Sequence, residues 1–151
     1  MKDLLEGLSY IIVILGGIIS SILYIKKFNA DKSSHLDNIF SGSFGNEGNV
    51  GGETPSHYLE LKIMTKNGRV DGILCSRNLT SGSYWNGLSV IGKRNRNKIS
   101  LDAIHIRGGK INKMFSFTIA YKKGEFKWKT KSLLENDCLP KNAVIWKFCD
   151  K

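Results

Sequence analysis

Cysteine is scarce in this chain, and its spacing excludes more than its number does. Three residues (Cys75, Cys138, Cys149) make an odd count at wide intervals. That is neither a disulfide framework nor a zinc ligand set. The thiols read as small apolar residues of a reducing compartment. Histidine is equally thin, with His35, His57 and His105 standing apart. Asp102 precedes His105 by an odd number of positions, so a regular strand places the two on opposite faces, which disfavours an acid–base pair. The chain also lacks a Ser-His-Asp ordering, a glycine-rich phosphate loop ahead of a helix and a carboxylate pair. These absences argue against an enzyme, and no cofactor or metal is expected.

Acidic residues are the next shortage. Against 23 Lys and Arg there are 13 Asp and Glu, a formal net charge of +10 in 151 residues. The imbalance is local. Twelve of the basic residues fall between Gly92 and Lys131, opposed only by Asp102 and Glu125, and elsewhere the charges balance. Such a local excess implies an anionic neighbour, whether a phosphorylated small molecule, lipid headgroups or nucleic acid. Duplex nucleic acid fits poorly, because there is no recognition helix.

One long apolar run is present. Residues 7–25, GLSYIIVILGGIISSILYI, carry no charge and are bounded by Glu6 and by Lys26 and Lys27. As a helix the run rises roughly 28 Å, close to the ~30 Å hydrocarbon core of a bilayer. The sequence therefore predicts a single span within an anchor of residues 1–28. The flanking lysines place the C-terminal domain in the cytoplasm, with the N-terminus outside an inner (plasma) membrane. Gly16 with Ser20, and Gly17 with Ser21, form small-residue pairs suited to close helix packing in lipid, and hence to a homo-oligomer.

Residues 29–55 read as a short juxtamembrane helix followed by a tether. Ser41–Pro55, SGSFGNEGNVGGETP, has five glycines and little to bury. Residues 56–151 read as a β domain. Leu59, Leu61 and Ile63 alternate with Glu60 and Lys62, Asn67-Gly68 suits a type I′ hairpin, and an Arg69–Cys75 strand returns. Further strands follow at Ser83–Ile91, Lys98–Arg107, Ile111–Tyr121, Phe126–Lys131 and Ala143–Cys149. Phe126, Trp128 and Thr130 point inward while Lys127, Lys129 and Lys131 line the outside. Phe115, Phe117, Ile119 and Tyr121 form a second inner face, and Val144, Trp146 and Phe148 a third. Ile99 and Leu101 are out of phase with Ile104 and Ile106, which implies a β-bulge near Asp102 or a strand apolar on both sides. The fold expected is all-β: a small antiparallel up-and-down β-barrel of seven or eight strands, with a half-open sandwich as the alternative.

The loop Lys93-Arg94-Asn95-Arg96-Asn97-Lys98 is the sharpest polar feature, since guanidinium forks match phosphate oxygens. Lys93, Arg94, Arg96 and Arg107 are the candidate anion ligands, and Tyr84, Tyr121 and Trp128 the candidate stacking faces.

The apolar run Gly7–Ile25 and the strand-rich stretch His57–Phe148, with SYWNGLSVIGK at its centre, resemble the transmembrane β-barrel effectors of bacterial cyclic-nucleotide antiphage systems (CBASS). The chain departs from them in having one span where two are typical. The resemblance implies a membrane-anchored sensor whose basic barrel binds a cyclic dinucleotide and drives clustering of the membrane helix in antiviral defence. The alternative is an anchored protein-interaction module, such as an immunity or phage-exclusion factor, with no small ligand.

Overall fold

The computed structural model describes residues 2–46, 56–132 and 138–148, with side chains from Ile14 onward and backbone alone at Ser132. The chain divides into two compact units, Met1–His35 and Leu36–Lys151. Helix α1 spans Lys2–Ile39, so its last turn belongs to the second unit.

The membrane-span expectation is corrected here. Among the described residues, no helix is long and apolar enough to cross a membrane. The uncharged stretch ends at Ile25. Lys26, Lys27, Asp31 and Lys32 then follow within the same helix. The side chains of residues 7–13, the first part of that expectation, lie outside the described residues. A single-pass location with the N-terminus outside and a cytoplasmic C-terminal domain is not supported.

The second unit is a closed, eight-stranded antiparallel barrel in which every strand pairs with its sequence neighbours and β8 returns to β1. The strands are β1 (Gly42–Gly45), β2 (His57–Lys66), β3 (Arg69–Asn78), β4 (Tyr84–Asn95), β5 (Lys98–Arg107), β6 (Lys110–Lys122), β7 (Glu125–Ser132) and β8 (Asn142–Lys147). Two-residue turns join four of the hairpins. Asn67-Gly68, Gly108-Gly109 and Lys123-Gly124 all have positive φ at both positions, the type I′ geometry that matches strand twist.

The eighth strand comes from the segment read as a tether. Gly42–Gly45 pairs with β2 through Phe44↔Leu61 and with β8 through Phe44↔Lys147. Phe44 supplies the burial that holds it. Asn46 fastens its end, its side-chain amide donating to the His57 carbonyl at 2.6 Å and its Oδ1 accepting from the Leu59 N–H at 2.7 Å. The barrel unit thus begins at Leu36 rather than at residue 56. The remainder of the tether, residues 47–55, lies outside the described residues.

The interior is filled. Leu59, Leu61, Val70, Leu74, Val90, Ile99, Leu101, Phe115, Phe117, Ile119, Trp128 and Ile145 form one continuous cluster with Phe40 and Phe44. Trp128 stacks on Phe117 with ring centres 3.9 Å apart and 19° between planes. Closure of so small a barrel requires tight strand contacts at two inward positions. At Gly72 a Cβ would strike the Lys62 carbonyl oxygen, and at Gly92 that of Ser100.

The β-bulge expected near Asp102 is present, and one register expectation, that of β8, changes. The phase break falls between Ala103 and Ile104 against β6, where Phe115 and Lys113 are their partners and Met114 is the extra residue. Ile99, Leu101 and Ala103 keep the inward phase, Ile104 is buried out of phase and Ile106 is exposed. In β8 the inward residue is Ile145, while Val144 and Trp146 are each 39 % exposed. The register Phe126↔Ile145 and Trp128↔Ala143 sets that phase, so the reading of Val144 and Trp146 as an inner face is corrected.

Candidate functional site

One end of the barrel is sealed by the last turn of α1. Phe40 is 0 % exposed and meets Phe126 edge-on at 5.9 Å and Tyr121 at 6.5 Å. Asp37 accepts from Arg94 Nε at 2.7 Å with both side chains buried, and also from the Gly68 backbone N–H in the β2–β3 turn. The Thr65 hydroxyl donates to the Phe40 carbonyl, and Lys147 Nζ donates to the Asn38 carbonyl at 2.8 Å.

This seal redistributes the residues expected to hold an anion. Lys93-Arg94-Asn95 belongs to β4, and only Arg96 and Asn97 form the turn. Arg94 points inward, in phase with Leu88 and Val90, and is committed to Asp37. Lys93 and Arg96 are exposed at that end. Arg107 stands at the tip of the β5–β6 hairpin, at the opposite end. Tyr121 packs on Phe126 at 4.8 Å. Trp128 is buried, its indole N–H donating to Thr130 Oγ1 at 2.9 Å, and that hydroxyl donates to the Pro140 carbonyl. Neither ring offers a face to a ligand inside the barrel. Tyr84 is 70 % exposed and lines a cleft with Trp85 and Arg77. Gly16, Gly17, Ser20 and Ser21 lie on the exposed part of α1, where the Ser21 hydroxyl donates to the Gly17 carbonyl of its own helix.

The charge excess gathers on the outer wall of β4 to β8. Register places Lys98, Ala120, Lys127 and Val144 in one outward row, and Lys93, Ser100, Thr118, Lys129 and Asn142 in the next. Small side chains at Thr118 and Ala120 leave a depression of about 640 Å³, edged by Lys98, Lys127, Lys129 and Asn142. Lys127 and Lys129 lie about 6.8 Å apart along their strand, and Lys98 stands two strands away, about 9.6 Å. Glu125 meets Lys127 at 3.6 Å with both groups exposed, a pair of little energetic weight. The depression therefore presents three ammonium groups over a floor bearing a hydroxyl.

Beside it, Asp102 is matched to Lys113 at 2.8 Å and accepts from the Ser116 hydroxyl at 2.8 Å. Burial pushes its carboxyl upward, but those two hydrogen bonds and the charges of Lys113 and Lys131 outweigh it, so its pKa lies below the ordinary 3.8. Asp102 thus takes its bonds from Lys113 and Ser116, and His105 is exposed. Among the described residues no group of three or more His, Cys, Asp or Glu is arranged to hold a metal.

Sequence reasoning missed the wall as a site because it sought the ligand in a loop. The signal was present in the Lys127/Lys129/Lys131 alternation, which needed only the small residues at Thr118 and Ala120 beside it. Comparison with protein-family models, curated proteins and solved structures finds no match to this chain.

Proposed function

We propose that the protein is a binding module that holds a phosphate-bearing ligand against the outer wall of its barrel. The observation that carries this reading is the cluster of Lys98, Lys127 and Lys129 around a depression floored by Thr118 and Ala120. Ammonium groups serve as strong donors to phosphate oxygens, and the Asn142 amide and Thr118 hydroxyl supply neutral hydrogen bonds. Arg94 of the Lys93–Lys98 stretch, where sequence reasoning looked for the ligand, is committed to Asp37, and the interior is packed with apolar side chains, which favours the wall. A cyclic dinucleotide is the first ligand to test, because the resemblance of the strand-rich stretch to antiphage effector barrels implies one.

The experiment is a calorimetric titration of the full chain with cyclic di-GMP, and with ATP as a linear phosphate-bearing control. Saturable binding that weakens with salt, and falls about tenfold on Lys127→Gln with Lys129→Gln, supports the proposal. A folded chain that binds neither compound, or binds them equally after the double substitution, overturns it.

A second reading, a protein-interaction module without a small ligand, draws on the exposed Ile106 and Ile111 that face each other across the β5–β6 hairpin. It expects silent titrations together with loss of partner capture on Ile106→Ser and Ile111→Ser.

A further inference from the structure

The sealed end of the barrel carries a second concentration of charge, separate from the wall depression. On the outward phase, register sets Lys66 opposite Arg69 and Arg69 opposite Lys93, so three cations stand side by side on β2, β3 and β4. All three are exposed. No carboxylate among the described residues lies within ion-pair distance of any of them. Like charges directly opposite one another on neighbouring strands repel, so the row weakens the free barrel unless an anion outside the chain answers it.

The turns of this end continue the pattern. Lys66 and Arg69 flank the β2–β3 turn, Arg96 opens the β4–β5 turn, and Lys122 and Lys123 lead the β6–β7 turn. Arg96 and Lys123 each take a φ of 53°, a left-handed position where a long side chain costs backbone energy that glycine or asparagine avoids. The carboxylates nearby do little to offset these charges. Asp37 is bound to Arg94 and to the Gly68 N–H, and Glu125 meets Lys127. Asp71 stands one outward row further from the turns, between Met64 and Ile91.

From this arrangement we infer that the sealed end is a docking surface for an anionic lipid bilayer, which the turns meet at the level of the headgroups. Such peripheral contact requires no membrane-crossing helix. The placement of the charges selects the partner. Six cations drawn from three successive hairpins edge a rim whose centre Phe40 fills. A small phosphate-bearing ligand meets one or two of those turns, whereas a plane of headgroups meets all three. A single strand of nucleic acid spans them as well, but it draws on exposed rings that stack its bases. The aromatics at this end, Phe40, Tyr121 and Phe126, are packed on one another instead. An anionic leaflet asks for charge alone and attracts each Lys or Arg near its surface. The same contact relieves the repulsion within the Lys66, Arg69 and Lys93 row.

The test is co-sedimentation of the full chain with vesicles of equal parts phosphatidylcholine and phosphatidylglycerol, against vesicles of phosphatidylcholine alone. The expected result is stronger partitioning into the anionic vesicles, weakening as salt rises. Lys66→Gln with Arg69→Gln and Lys93→Gln lowers that partitioning about a hundredfold, at roughly fivefold per cation lost. The denaturation midpoint of the free triple variant holds or rises, because the repulsion is gone. Arg69→Gln alone gives about a fivefold loss and serves where the triple variant fails to fold. Removing three cations from the opposite end, by Arg77→Gln with Arg107→Gln and Lys110→Gln, lowers partitioning no more than a few-fold. Equal partitioning of the unaltered chain into the two kinds of vesicle overturns the proposal. Equal losses from the two triple variants also overturn it, since they trace the effect to net charge. Binding of poly(U) that depends on Lys66, Arg69 and Lys93, without preference for phosphatidylglycerol, overturns it in favour of a nucleic-acid surface.

Discussion

The two ends of the barrel solve the same problem in opposite ways. Any small barrel has an open mouth at each end, and its rim residues must be either covered or kept polar. At one end, the last turn of α1 inserts Phe40 and anchors itself through Asp37, so the rim is covered by its own chain. At the other end, among the described residues, Tyr84 is exposed and Trp85 half-buried, while the loop residues Cys138 and Leu139 are buried. The difference teaches which end is closed by a helix turn and an ion pair and which keeps aromatic rings at its edge. A sealed rim returns its burial to the fold, whereas aromatic rings at an edge are kept at a standing cost.

Substitutions at the two ends test that contrast. The largest effect is expected for Phe40→Ala, which leaves a cavity in the seal and costs about 3–5 kcal/mol, read from the urea midpoint. Tyr84→Ala at the other end changes the same midpoint by no more than about 0.5 kcal/mol. Equal losses at both ends would break the comparison. Next in size is Arg94→Met, which strands the Asp37 carboxylate in a buried site at a cost of about 3 kcal/mol. Adding Asp37→Leu removes the stranded charge, and the double variant returns most of the lost stability. A double variant no more stable than the single one would show that the Gly68 contact to Asp37, and not the ion pair, holds the turn in place.

The smallest effect sits on the wall. The Asp102 carboxyl titrates below its ordinary value when folded, so its contribution is present above pH 3.8 and is lost as pH falls through the lower folded value. Asp102→Asn should flatten that acid limb. Because the Asp102–Lys113 pair is largely exposed, the change is below about 1 kcal/mol, and acid denaturation of the two proteins side by side measures it.

Much of the barrel was legible in the sequence. Alternation marked β2, β6 and β7, with Phe126, Trp128 and Thr130 inside and the lysines outside, and Asn67-Gly68 marked its hairpin. What escaped was long-range. SGSFG reads as linker because only Phe44 is apolar, and its partners Leu61 and Lys147 are remote in sequence. Arg94 reads as a loop residue because an inward charge breaks the apolar pattern, although Leu88, Val90 and Gly92 lead directly into its phase. Its counter-charge, Asp37, sits 57 positions away. The apolar run of α1 pointed to a bilayer by length and composition, yet the helix continues through charged positions to a turn that serves the barrel. Candidate site residues fared unevenly for a related reason. Tyr84 lies at a cleft, whereas Tyr121 and Trp128 went to the core, and a single aromatic does not announce which of the two it will do.

Strand β1 has a consequence for how the chain reaches its folded form. The hairpins from β2 to β7 close over short loops and can assemble locally, whereas Phe44 must find Lys147 across most of the barrel's sequence. Loop-closure entropy makes such a pairing slow relative to the hairpins, so β1 acts as the zip fastener's final tooth. Until it engages, β2 and β8 are raw edges able to recruit a second chain. A fragment starting at residue 56 would remain in that state permanently. Its tendency to aggregate would come from an interrupted folding pathway, with every core residue of β2 to β8 still present.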